Sequence, residues 1–199
     1  MISLVIQAGG ESRRMGRNKA LVPFLGRPLY QRVLDRLAPL ADEVLITTNT
    51  SEGFEAANVP LVADVYPGQG ALGGLYTAIW AARHPIVMVA ACDLPFVSPE
   101  LMRHQIELMI THELDVVIPG TWEKREPLHS VYRKDTCLPL IRQALVRGEK
   151  RLISWFAHVN VQFVPPKEIQ KLDPLGLAFR NVNSQEELEQ AEALAREMG

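Results

Sequence analysis

The chain has 199 residues, 47% of them hydrophobic and 22% charged, which is enough apolar material for one buried core and unlike a disordered or fibrous chain. Lys and Arg number 21 against 23 Asp and Glu, a formal net charge of -2, so no global field exists to hold a nucleic-acid backbone and any anion site must be local. Two cysteines, Cys92 and Cys137, are too few for a disulfide framework and lack the C-x-x-C spacing of a structural zinc site, which fits a reducing cytoplasm.

The first run, Ile2 to Ile6, is apolar without strict alternation and ends in Gly9-Gly10, as expected of a central strand buried on both faces of a parallel sheet. No basic segment precedes it, and nowhere do about 18 uncharged apolar residues stand together, so a soluble protein with neither export signal nor membrane contact is expected. After a polar stretch, Pro28 opens a helix carrying Leu29, Val33, Leu34, Leu37 and Leu40 at helical spacing. Val44 to Thr48 reads as a strand, Leu61-Val62 as a short one, Leu72 to Ala82 as a helix and Pro85 to Ala91 as another apolar strand. Ser98-Pro99 caps and starts a further helix through Leu101, Ile106 and Met109, and Leu114 to Ile118 returns to strand. The second half is more mixed: Leu128 to Tyr132 and Val159 to Val164 look like strands and Leu138 to Val146 like a helix. Ser184 with Glu187 forms a capping box for a terminal helix through Leu188 and Leu194. Strands alternating with helices, without repeats or linkers, predict a single α/β domain over 1–199.

The segment Gln7-Ala8-Gly9-Gly10-Glu11-Ser12-Arg13-Arg14-Met15-Gly16-Arg17-Asn18-Lys19 places three glycines and four basic residues just past a strand's carboxyl end, the edge where parallel α/β sheets bind ligands. Glycines let backbone N–H groups approach phosphate oxygens, Arg offers a planar fork and Lys a compact charge. The reading is a polyphosphate cradle, against the alternative of an ordinary basic surface loop. Neither G-x-x-x-x-G-K-[ST] nor G-x-G-x-x-G is present, which removes the main support for a P-loop ATPase or a dinucleotide dehydrogenase. Further on, Cys92-Asp93-Leu94-Pro95 puts a carboxylate where a buried strand runs out into a loop. Mg²⁺ riding on a triphosphate needs only one or two protein carboxylates, so Asp93 is the candidate metal ligand, the alternative being an Asp that merely caps a Pro turn.

Ala8 to Lys19 resembles the signature A-G-G-x-S-x-R-M-G-x-x-K of the nucleotidyltransferases, in particular the molybdenum cofactor guanylyltransferases. The resemblance continues in order through Asp64, Gly70-Ala71-Leu72-Gly73-Gly74, Cys92-Asp93-Leu94-Pro95 and Asn181-Val182-Asn183. It implies a Rossmann-like three-layer α/β/α fold with a mostly parallel central sheet, an N-terminal half that binds nucleotide and a C-terminal half that binds the acceptor. It further implies that Gln7, Ala8, Gly9 and Gly10 hold GTP through the backbone, that Arg14 lies over the phosphates, and that Lys19 reaches the triphosphate. Asn49, Asp64 and Gly70 would contact the nucleotide, and Asp93 would hold Mg²⁺. Gln7 stands where the family usually has Leu, and Asn18 where it usually has Asp. On the acceptor side, Arg151 in Gly148-Glu149-Lys150-Arg151, with Asn181 and Asn183, resembles the segments attributed to molybdopterin binding. Basic residues complementing a helix end and ordinary Asn turns are the alternatives there. Trp80, Trp122 and Trp155 read as packing or rim residues.

The implied reaction is transfer of GMP from GTP to the phosphate of molybdopterin with loss of pyrophosphate, which asks for charge neutralisation and alignment rather than a protein nucleophile. Transient contact with cofactor-biosynthesis proteins or with the oxidoreductases that receive the product would follow. A cytidylyltransferase on the same acceptor, a sugar-1-phosphate nucleotidyltransferase and a nucleotide-binding regulator or delivery partner are the competing readings.

Overall fold

The computed structural model describes residues 1–9, 18–121 and 123–198. Strand β1 (Ile2–Gln7) lies between two parallel neighbours, β4 (Glu43–Thr47) and β6 (Ile86–Ala91), and β4 is flanked in turn by the parallel β5 (Leu61–Val62). A two-stranded hairpin, β2 (Pro23–Phe24) and β3 (Arg27–Pro28), and helix α1 (Leu29–Leu37) fill the first crossover. Helix α2 (Gly70–Ala81) leads into β6, and α3 (Pro99–Thr111) leaves it. Beyond β6 the sheet changes character. Strand β8 (His129–Arg133) runs antiparallel to both β6 and β7 (Val116–Pro119), and β9 (Val161–Val164) is parallel to β7. The main sheet therefore has the order β5-β4-β1-β6-β8-β7-β9, mostly parallel, as expected. Helices α4 (Lys134–Val146), α5 (Pro166–Leu172) and α6 (Gln185–Glu197) are the remaining α-helices among the described residues.

Alternating strand positions feed two cores, as the period-2 geometry of a strand requires. Leu4, Ile6, Met88 and Ala90 pack with Tyr30, Val33 and Leu37 of α1 and with Leu101, Ile106 and Met109 of α3. Val5, Val87 and Val89 pack on the other face with Leu72, Leu75 and Ile79 of α2, Ile141 and Ala144 of α4, and Trp155. Each fully buried Val, Leu, Ile or Met among them contributes about 1.5–3 kcal/mol. Trp155 is wholly buried with its indole N–H donated to the Leu152 carbonyl at 2.9 Å, whereas Trp80 is 48% exposed; both fit the packing-or-rim reading. Trp122 lies outside the described residues.

A third cluster decides where the site residues go. Val22, Phe24 and Leu29 from the hairpin region meet Phe96, Val182, Leu188, Ala191 and Ala195. Phe24 and Phe96 contact edge to face with centroids 6.0 Å apart. This apolar knot pins three distant segments side by side: the one after Lys19, the one after Asp93 and the one around Asn183. The expected caps are present. Ser98 Oγ accepts the Leu101 N–H, and Ser184 Oγ accepts the Glu187 N–H, both at 3.1 Å. The return bond of the second box goes to the Asn183 N–H, held by Glu187 Oε2 at 2.6 Å, one residue ahead of the cap itself.

Candidate active site

In-register pairing of Gln7 with Thr47 on one side and Ala91 on the other brings the carboxyl ends of β4, β1 and β6 to one edge. The Ala8 N–H donates to the Thr47 carbonyl at 2.9 Å and the Cys92 N–H to the Gln7 carbonyl at 3.1 Å, so the chain leaves the sheet in a fixed direction at both places. A methyl added at Gly9 would meet Thr47 O and Thr48 Cα only at 3.8 and 4.0 Å, ordinary contact distances; the fold around it does not by itself demand glycine. Gly10 and Arg14 lie outside the described residues, as does the rest of the 10–17 segment.

Lys19 opens a 3₁₀ turn, Lys19–Leu21, whose N-cap is Asn18: its Oδ1 accepts the Ala20 N–H at 3.0 Å. Asn serves this purpose as well as Asp does, so the departure at position 18 keeps the cap. What orients Lys19 comes from elsewhere in the chain. Its Nζ donates to Asp93 Oδ2 and to Asn183 Oδ1, both at 2.5 Å, bridging 74 and 164 residues of sequence. The Lys19 and Asp93 side chains are only 18% and 15% exposed, so each would be left desolvated without the other. The Val182 N–H donates to the Asp93 carbonyl at 3.0 Å, fastening the Asn183 segment to the loop after β6. From the other side, Arg36 Nε donates to the Val97 carbonyl at 2.7 Å and steadies the same loop against α1.

The second oxygen of Asp93 matters most. Oδ1 is buried and has no hydrogen-bond partner among the described residues, an arrangement that costs free energy unless something fills it. Among the described residues no group of three or more His, Cys, Asp or Glu could hold a metal ion. One free carboxylate oxygen is enough of a protein donor for a phosphate-borne divalent cation, since phosphates and water complete its shell, and the lysine beside it is a charge for the phosphates rather than a metal ligand. The residues present fit such an ion. Cys92 next door is fully buried, and burial followed by the Asp93 charge pushes its thiol up to about 12, so it stays protonated and packs as a small hydrophobe.

Further along the edge, Asn49 and Asp64 hold one another: Asn49 Nδ2 donates to Asp64 Oδ2 at 2.8 Å, and the Asp64 N–H to Asn49 Oδ1 at 2.9 Å. This reciprocal pair ties the loops after β4 and β5 together. Gly70 begins α2 with φ +63, a conformation that favours glycine. Within the same helix, a Cβ on Gly74 would stand 3.5 Å from Gln7 Nε2, itself buried without a partner among the described residues. Gln7 thus turns its side chain toward the glycine face of α2.

The acceptor-side candidates separate. Asn183 is part of the Lys19 junction, and exposed Asn181 flanks it across buried Val182. Arg151 is exposed in the turn beyond α4, on the layer that α4 shares with α2, and makes no side-chain hydrogen bond to that junction. A cavity of about 450 Å³ not anticipated from sequence opens where β7 ends, between α5 and the 173–179 loop; Gly120, Glu126, Ile169, Asp173 and Phe179 line it. Behind Phe179 sits His129, wholly buried, with ring centroids 5.2 Å apart in an edge-on contact. Burial, opposed only in part by the Asp173 charge, lowers the imidazole to about 4. A Glu-Pro pair directly ahead of a strand was the available signal for this region, and its turn-like chemistry hid it.

The MobA-like NTP transferase domain matches residues 4–162. The molybdenum cofactor guanylyltransferase of Desulfosudis oleivorans is 34% identical over 190 residues, covering 95% of this chain and 93% of its own. A probable molybdenum cofactor guanylyltransferase of Carboxydothermus hydrogenoformans is 35% identical over 163 residues, with 82% and 81% covered. Among solved structures, molybdopterin-guanine dinucleotide biosynthesis protein A from Archaeoglobus fulgidus superposes with a TM-score of 0.83 at 24% identity, covering 98% of this chain and 100% of that one.

Proposed function

Because the chain belongs to the MobA-like NTP transferase family, we propose that it transfers GMP from GTP to the phosphate of molybdopterin, forming the guanine dinucleotide cofactor and releasing pyrophosphate. The observation that carries the reading is the junction of Lys19, Asp93 and Asn183 at the carboxyl edge of the sheet, with one Asp93 oxygen free. The relatives' activity over nearly the full chain supports the choice of guanine and acceptor.

An acceptor phosphate oxygen forms a bond to the α-phosphorus of GTP, and the bond to the bridging oxygen breaks, its electron pair leaving with pyrophosphate. Lys19, prevented from swinging by its two oxygen partners, meets the triphosphate as a placed cation and needs little reorganisation during the step. Arg14 would add a second positive charge over the phosphates. Asp93 Oδ1 would hold Mg²⁺, which when bound supplies charge neutralisation for the α-phosphate and the leaving group. Ala8, Gly9 and Gly10 would present backbone to the nucleotide, while Gln7, Asn49, Asp64 and Gly70 bound the region of base and ribose. Asn181 and Asn183 would face the acceptor from the Lys19 junction, and Arg151 would have to reach it from the turn beyond α4. No described helix is long and apolar enough to cross a membrane, and free buried Cys92 and Cys137 accord with work in the cytoplasm, where the product passes to an oxidoreductase.

Pyrophosphate release measured with GTP, CTP or ATP, molybdopterin and Mg²⁺ tests the proposal. GTP should be used in preference to the others and turnover should stop on chelation. Preference for CTP, or tight GTP binding with no turnover, overturns it.

A further inference from the structure

The cavity beyond β7 is bounded on the sheet side by the turn that joins β7 to β8. Its acidic lining is unequal in state. Both Asp173 oxygens are engaged, Oδ1 by the Leu177 N–H at 3.1 Å and Oδ2 by the Ala178 N–H at 2.8 Å. The Thr121 hydroxyl is donated to Glu123 at 2.8 Å. Glu126, half-buried, makes no side-chain hydrogen bond or ion pair among the described residues. Its backbone, by contrast, is locked: the N–H donates to the Pro119 carbonyl at 3.1 Å, and the carbonyl accepts the His129 N–H at 3.0 Å and the Ser130 hydroxyl at 2.7 Å. Burial raises the carboxyl above its ordinary range, with Lys124 opposing. A carboxylate without a partner among the described residues, carried on a firmly held backbone and lining a cavity of ligand size, can serve as a recognition group.

We propose that Glu126 selects the acceptor by receiving two neighbouring N–H groups of an aminopyrimidinone ring, the 2-amino and N3–H edge of a pterin, inside this cavity. The inference rests on the guanylyl-transfer reading above for the acceptor's class. A carboxylate matches two adjacent donors as a bidentate acceptor, and such charge-assisted bonds are the stronger kind. Phe179 offers the ring a π-face and is itself held by His129, whose neutral imidazole brings no competing charge. Phe179 is also four residues ahead of Asn183, a stretch that spans at most about 14 Å, so ring site and Lys19 junction lie within reach of one elongated ligand.

The test uses pterin and lumazine, which carries an oxo group where pterin has its 2-amino group. Ligand fluorescence titrations with the full chain should show pterin bound about tenfold or more tightly than lumazine, as expected for a lost hydrogen bond to a charged group. Glu126→Gln should erase that preference with the melting temperature and GTP affinity unchanged, and should raise the KM for molybdopterin while leaving kcat in place. Failure of the unaltered protein to bind pterin, or a preference that survives in E126Q, overturns the assignment. Pyrophosphate release reports on the other proposal separately: no turnover with the Glu126-dependent preference intact sinks guanylyl transfer alone, and normal turnover with a preference indifferent to Glu126 sinks this inference alone.

Discussion

The two sides of β6 are built on different rules. From β5 to β6 every strand is parallel, so Gln7, Asn49, Asp64 and Asp93, each at or just past a strand's carboxyl end, arrive together at one edge by the logic of the sheet. Past β6 the chain reverses, and the same edge is lined by the start of β8, a turn, and loops that return from the far end of the sequence. A parallel half suits a ligand common to many enzymes, which one arrangement of loops can hold. The irregular half can be reshaped residue by residue, as recognition of a particular acceptor demands. Asp93 and Asn183 join the halves by both accepting from the one Lys19 ammonium.

The sharpest break of this division is at Asp93. Asp93→Ala should lower turnover by about a thousandfold or more, through loss of the oxygen proposed for the metal and of the partner of Lys19. Circular dichroism should be unchanged, and near-normal rates in a well-folded variant would falsify the role given to the free oxygen. Lys19→Ala comes next, with a fall of about a hundredfold in kcat and weaker GTP binding by isothermal titration. Unchanged affinity and turnover would remove the lysine from the nucleotide half.

His129 probes the other half through pH. Folded, it titrates near 4; unfolded, near its ordinary 6.5. Between these values the unfolded chain binds the extra proton, so the contribution is complete above pH 6.5 and is lost as pH falls toward 4, roughly 3 kcal/mol in all. Urea unfolding at pH 7 and pH 4.5 should show that loss, and His129→Leu should show less of it. Equal acid sensitivity in both proteins argues against a buried neutral imidazole. The smallest effect is expected at Ser184→Ala, about 1 kcal/mol of stability from the lost cap. Loosening the start of α6 should raise the KM for acceptor while GTP affinity holds; a change in GTP affinity instead would blur the two halves.

Much of the parallel half is legible in sequence because buried parallel strands are continuous apolar runs with polar residues at their ends. Val87 to Pro95 reads directly, as do the caps at Ser98 and Ser184. The direction of β8 is not legible, since alternation and apolarity are the same for a strand run either way. The hairpin Pro23–Phe24 with Arg27–Pro28 is too short for any period, and α5, opening on Pro165-Pro166, resembles a loop. Site contacts divide likewise. Lys19 and Asp93 are visible as candidates because glycine-rich and strand-end contexts mark them. That Asn183 joins Asp93 on the Lys19 ammonium depends on the apolar knot around Phe24, Phe96 and Val182, whose members are ordinary hydrophobic residues in sequence. Glu126 has no mark at all beyond the proline that follows it.

The 164-residue gap between Lys19 and Asn183 also sets an order of events. A ribosome releases the lysine early and the asparagine late, so the nascent protein carries an unfinished centre through most of its synthesis. Until the helix following Ser184 has emerged and docked, Asp93 is the one of the two described partners already in place to receive the ammonium.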